Sequence, residues 1–253
     1  KANNALANTS GVTFAGDLVL TGKLALGSTE VAVGTDALAN NSGANYNTAV
    51  GPSSLFKNTT GIYNTAIGYI SLYNNSTGQR NTAVGYGALY GNSYGAQNVA
   101  LGMRALYYNI TGQQNVAIGY QAMFNNITGA GNVGVGYQAL YNNTSGVNNT
   151  AVGFYTLQSN TVGSFNVAIG GPDSGGWTSL YSNTTGQYNV AVGVGSLAKN
   201  TTGRYSVAVG YQALYSALED ANYAFGYQAL YSNTGGYSNA AFGRQALYNN
   251  TTA

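Results

Sequence analysis

The chain has 253 residues and a net charge of +2, with 6% of residues charged, against about 25% in typical soluble domains. Its eight basic residues are scattered singly, which excludes a nucleic-acid surface built on phosphate neutralisation. Histidine and cysteine are absent, which excludes disulfides, thiolate or imidazole metal sites and nucleophilic triads based on either, so no cofactor or metal is expected.

Residues 1–29 stand outside any repeat. Their stretch Gly16–Gly27, G-D-L-V-L-T-G-K-L-A-L-G, reads as short strands with glycine turns and is expected to form an N-terminal cap or a shaft connection. From residue 30 to residue 253 the chain is a tandem array. The unit N-x-A-[VI]-G, with Leu101 and Gly134 as its two departures, recurs every 17 residues at Asn47, Asn64, Asn81, Asn98, Asn115, Asn132, Asn149 and Asn166. An earlier unit starts at Glu30 and later ones at Asn189, Ser206, Asn222 and Asn239, thirteen in all. The consensus is N-T/V-A-V/I-G-Y-Q-A-L-Y-N-N-T-T-G-x-Y.

Positions two to four carry the alternating, β-branched pattern of a short strand. Position five is glycine in all thirteen units, including Gly51, Gly68, Gly85, Gly102, Gly119, Gly136 and Gly153. Position nine is leucine in twelve, among them Leu89, Leu106 and Leu140, with Met123 the exception. Between them, Y-Q-A-L-Y is compatible with a second short strand or with one helical turn. Position seven varies (Ser53, Ile70, Gly87, Arg104, Gln138) and reads as a solvated face. The stretch N-N-T-T-G is turn chemistry. One strand and one turn per short repeat predict an all-β fold, a parallel β-solenoid with one coil per unit. Val/Ile at position four and Leu at position nine are expected to fill its inside, with small residues at three and five where backbones approach. The stacked coils give a rod of roughly 60 Å.

Such a coil is thin, and its aromatic residues are many. Position ten is aromatic in ten units, and tyrosine recurs at position six (Tyr69, Tyr86, Tyr120, Tyr137). Left in water this stripe is a large apolar surface, so a parallel homotrimer is expected. The runs N-V-A-I-G at 115–119 and 166–170 and N-T-A-V-G at 81–85 resemble the head repeats of trimeric autotransporter adhesins. The longer unit N-T-A-V-G-Y-x-A-L-Y is similar to repeat regions of phage tail-fibre proteins. The resemblance covers residues 30–253 and implies a left-handed β-roll in a threefold assembly, a surface-binding fibre of a virion or a bacterial surface. The adhesin unit is shorter than this one.

The remaining motifs are weaker. G-V-G-Y-Q-A at 134–139 imitates a dinucleotide fingerprint, but its glycines are repeat positions outside any βαβ context. No apolar run approaches the 20 or so residues of a membrane span. The six carboxylates, Asp17, Glu30, Asp36, Asp173, Glu219 and Asp220, offer no paired arrangement for hydrolysis. Unit nine carries a six-residue insertion, 171–176, directly before Trp177, the single tryptophan. Solenoid insertions map to surface loops, so Asp173, Ser174 and Trp177 form a candidate ligand loop, with a cell-surface glycan or another receptor as partner. Asn-x-Thr/Ser sequons (Asn58, Asn109, Asn126, Asn183, Asn200, Asn250) coincide with the turn, which itself favours these residues. The expected function is an extracellular structural fibre or adhesin segment without enzymatic activity. A self-assembling filament subunit is the alternative, and a carbohydrate-binding or ice-binding solenoid a more distant one.

Overall fold

The structure, a computed structural model, describes residues 29–43 and 46–252; the expected cap at 1–29 lies almost wholly outside the described residues. Among these, thirteen three-residue strands run from β1 (Val31–Val33) to β13 (Ala240–Phe242). They form one parallel sheet in strict sequence order. In its middle are β5 (Val99–Leu101), β6 (Val116–Ile118) and β7 (Val133–Val135), in register one unit apart: Ala100 pairs with Ala117, and Ala117 with Gly134. The fold is a β-solenoid.

Which strand residues face inward differs from the expectation. Ala100 and Ala117 at position three are fully buried, whereas position four points out, with Ile67 41% and Ile118 37% exposed. Alternation along a strand allows only one of the two neighbours inside. The leucine column takes the internal volume and leaves room for a methyl group only. Leu89, Leu106, Met123 and Leu140 are fully buried and pack on alanines at positions three and eight. The two exceptions to the consensus compensate one another. A Cβ on Gly134 would sit 2.9 Å from Met123 Cγ, so the longer side chain occupies the space that the missing methyl leaves.

The segment from position six to ten is neither a strand nor a helical turn. Residues seven and nine are left-handed, as at Gln121 (φ +51), Met123 (φ +54) and Leu106 (φ +51). The amide at position seven points back one coil (Gln121 N to Met103 O, 3.0 Å), and that at position nine points forward (Leu106 N to Ala122 O, 3.0 Å). A left-handed leucine costs about 1–2 kcal/mol, which full burial of its side chain, at about 1.5–3 kcal/mol, offsets. Position seven is therefore no solvated face. Gln121 is buried, and its Oε1 accepts a 2.7 Å hydrogen bond from Gln138 Nε2 in a glutamine ladder.

At position five, Gly51, Gly68, Gly85, Gly102, Gly119, Gly136 and Gly153 hold φ between +128° and +135°. Only glycine adopts this conformation readily. A Cβ on Gly85 would lie 2.8 Å from the carbonyl carbon and oxygen of Gly102 in the next coil.

Two columns of buried asparagine complete the interior. At position one, Asn115 Nδ2 donates to Gly129 O (2.8 Å) and Asn98 Oδ1 (3.1 Å), while its Oδ1 accepts from the Asn132 amide (3.0 Å). At position twelve, Asn126 Nδ2 donates to Asn109 Oδ1 (2.8 Å) and Gly129 O (3.0 Å). Such ladders satisfy the polar groups that a thin coil must bury. They also occupy five of the sequons: Asn58, Asn109, Asn126, Asn183 and Asn200 are buried, and each Nδ2 already donates. Backbone bonding ties the coils together further. The amides of Val99, Gly102, Arg104, Leu106, Tyr108, Ile110, Thr111 and Gln114 each reach a carbonyl of an adjacent coil.

Candidate functional site

The inserted loop is held by hydrogen bonds within itself. Asp173 Oδ1 accepts from the amides of Gly175 (2.9 Å) and Trp177 (2.8 Å), and the Asp173 amide donates to Trp177 O (2.9 Å). These local bonds are what an aspartate at the start of a turn makes. Its Oδ2 accepts from Gln212 Nε2 (2.9 Å) two coils on, where the ladder continues through Gln228 and Gln245. Ser174 is exposed and Trp177 is half-buried.

The coil beneath the loop has small residues where its neighbours have large ones. Position ten there is Ala198, between Tyr181 and Tyr215, and Trp177 sets its ring edge-on to both, with centroids at 5.4 and 6.3 Å. Position seven is Gly195, where an added Cβ would come within 3.5 Å of Asp173 Oδ2. The loop thus fills a dent in its own rod. Sequence reasoning found the insertion but not its seat; the signal was the coincidence of Gly195 and Ala198 in the unit after it.

This arrangement perturbs one phenol strongly. Burial, then the Asp173 carboxylate, push the Tyr215 pKa up to about 12. Tyr231 is raised by burial and then by its neighbour Tyr248, Tyr107 by burial and then by Tyr90, and Tyr137 by burial and then by Tyr155. A raised phenol pKa means that the fold favours the neutral form. This contribution is whole below the unfolded value near 10 and is lost as pH rises through the folded value. The melting temperature is therefore expected to stay level between about pH 7 and 9 and to fall between about pH 10 and 12. Asp173→Asn should lower the Tyr215 titration midpoint, followed by NMR of ring-labelled tyrosine. An unchanged midpoint would remove the carboxylate as a cause.

The other carboxylates are dispersed. Asp17 lies outside the described residues. Asp220 pairs with Arg204 (3.5 Å) and accepts from its amide (2.7 Å) at the shortened eleventh unit, beside Glu219 in a polar cleft. Among the described residues no group of three acidic side chains is placed to hold a metal ion, and no helix is long and apolar enough to cross a membrane. Each of the six described cations, Lys57, Arg80, Arg104, Lys199, Arg204 and Arg244, lies over a tyrosine ring. The cations thus serve as partners of aromatic faces, Arg204 in addition to its ion pair with Asp220.

Aromatic rings run along the rod in columns. At position ten Phe56, Tyr73, Tyr90, Tyr107, Phe124 and Tyr141 stack in succession, with centroids 4.9–5.4 Å apart. They are half-buried. The more open apolar surface is the outer face of the sheet, position four, flanked by the rings at positions six and seventeen such as Tyr69, Tyr120, Tyr63 and Tyr188. No known protein family, curated protein or solved structure matches the chain.

Proposed function

We propose that this chain is a structural segment of an extracellular fibre of the adhesin or tail-fibre kind, formed by three copies packed along their outer sheet faces. Its role is assembly and display at a virion or cell surface rather than catalysis. The observation that carries the reading is the outward turn of position four. Ile67, Ile118, Ile169, Phe225 and Phe242 stand exposed along the sheet face, beside the open rings of positions six and seventeen. Soluble monomers rarely expose contiguous apolar patches beyond a few hundred Å². A copy with the same 17-residue period offers matching ridges over the whole length, and obligate interfaces are long and apolar in this way. The proposed interface thus keeps the position-six tyrosines of the expected stripe and exchanges its position-ten rings for the sheet face.

Sedimentation equilibrium is expected to give about three times the 26.0 kDa chain mass. Tyr69→Lys with Ile118→Lys should shift that mass toward the single chain, because both charges would enter a desolvated interface. A stable parent monomer would defeat the proposal. A mass that climbs without limit with concentration would favour a filament instead.

A further inference from the structure

In a repetitive rod the consensus residues meet the needs of the coil, so surface departures that cluster in space call for another explanation. Position eleven is asparagine at Asn74, Asn125 and Asn142 but Gly91 and Tyr108 in between. Position thirteen is Ser93 and Thr144 to either side but Ile110 and Ile127 between them. These four departures lie on successive coils. They line one groove of about 750 Å³ that runs along the rod, over the buried asparagine column. Gly91 opens its wall. Tyr108, Ile110 and Ile127 are 49%, 43% and 39% exposed, an apolar patch that adds nothing to the core.

We infer that this groove binds an extended, uncharged polysaccharide lying parallel to the rod axis. The occupant is set by the chemistry of the walls. Their apolar surface, with Tyr108 set edge-on against Tyr107 and Phe124, offers ring and methyl faces to the C–H face of a sugar. Amides and hydroxyls along the rim, including Asn125, Asn142 and Thr144, meet its hydroxyl groups. The one charged residue of the lining is Lys57 at one end, so an uncharged chain matches these walls where an acidic one finds no row of counter-charges. A single nucleic-acid strand needs a cationic groove along its backbone. A peptide that adds as a strand needs a free strand edge, and the amides of Tyr108, Ile110 and Thr111 are already bonded to the next coil. Coils about 4.8 Å apart set successive wall and rim groups at nearly the advance of one sugar in a β-linked chain. The inference rests on the fibre reading only in that such a rod meets glycans at a surface.

The test is calorimetric titration of the purified assembly with two neutral probes, the β-1,4-linked hexasaccharides of glucose and of N-acetylglucosamine. Saturable binding of at least one is expected. Tyr108→Asn with Ile127→Thr restores the consensus, so this variant should melt with the parent and bind at least tenfold more weakly; Ile110→Thr alone is the milder companion. Failure of both probes to bind the parent, or full affinity in the folded variants, would overturn the inference. The mass of the same sample separates the two proposals. A trimer that binds neither probe removes the groove and keeps the fibre, and a monomer that binds keeps the groove and removes the fibre.

Discussion

Gly119→Val is expected to be the most damaging single substitution in the middle of the rod. Valine would have to adopt φ +132°, and its Cβ would fall on the backbone of Gly136, 2.7 Å from the carbonyl carbon. Overpacking costs about 1–3 kcal/mol and a residue forced into such a region about 1–3 kcal/mol more. For a chain of this length that lowers the melting temperature by on the order of 10 °C. Because a solenoid is stabilised by nearest-neighbour coil contacts, the rod should also open first between the sixth and seventh coils. Hydrogen exchange of the amides at 116–136 would localise the opening. Gln121→Val is no neutral control, since Gln121 is buried, left-handed and bonded to Gln138. Thr128→Ser, at an exposed position in the same coil, is the control expected to melt with the parent. If Gly119→Val melted with it too, close packing at position five would have to be abandoned.

Asn115→Ala is expected to come next. It strands the buried amide of Asn132, which has Asn115 Oδ1 as its partner, and removes the donor to Gly129 O. A buried donor left unsatisfied costs about 1–3 kcal/mol and each lost bond about 1 kcal/mol, so the total is about 2–5 kcal/mol. The chain supplies its own milder case. In the eleventh unit Ser206 replaces the asparagine, and its Oγ accepts from the Asn222 amide at 3.2 Å. Asn115→Ser should therefore recover a good part of the loss. Denaturant unfolding of the three chains gives the comparison, and equal loss in both variants would deny the acceptor its role.

The period, the glycine at position five and the leucine column were legible in the sequence, because each imposes one residue type on one place in every coil. The facing of the strand was not. Alternation fixes that Ala117 and Ile118 point oppositely but leaves two phases open. Hydrophobicity favours the wrong one, because the width of the coil decides, and that width is set by the leucines across it. The asparagine columns were hidden for a related reason. Asn126 in N-N-I-T-G has the composition of an exposed turn, and only the close approach of Asn109 and Gly129 shows that it is buried. The left-handed run through Gln121 and Met123 leaves no periodic mark, since the alternation lies in the backbone. The groove and the seat of the Trp177 loop became visible once departures from the consensus could be placed on neighbouring coils.

Single-particle electron micrographs of the purified chain test the central claim most directly. Discrete rods roughly 60 Å long with threefold cross-sections are expected, the sheet faces turned toward the shared axis. Isolated thin rods of one chain, or ropes that grow end to end without a threefold section, would contradict a trimeric fibre.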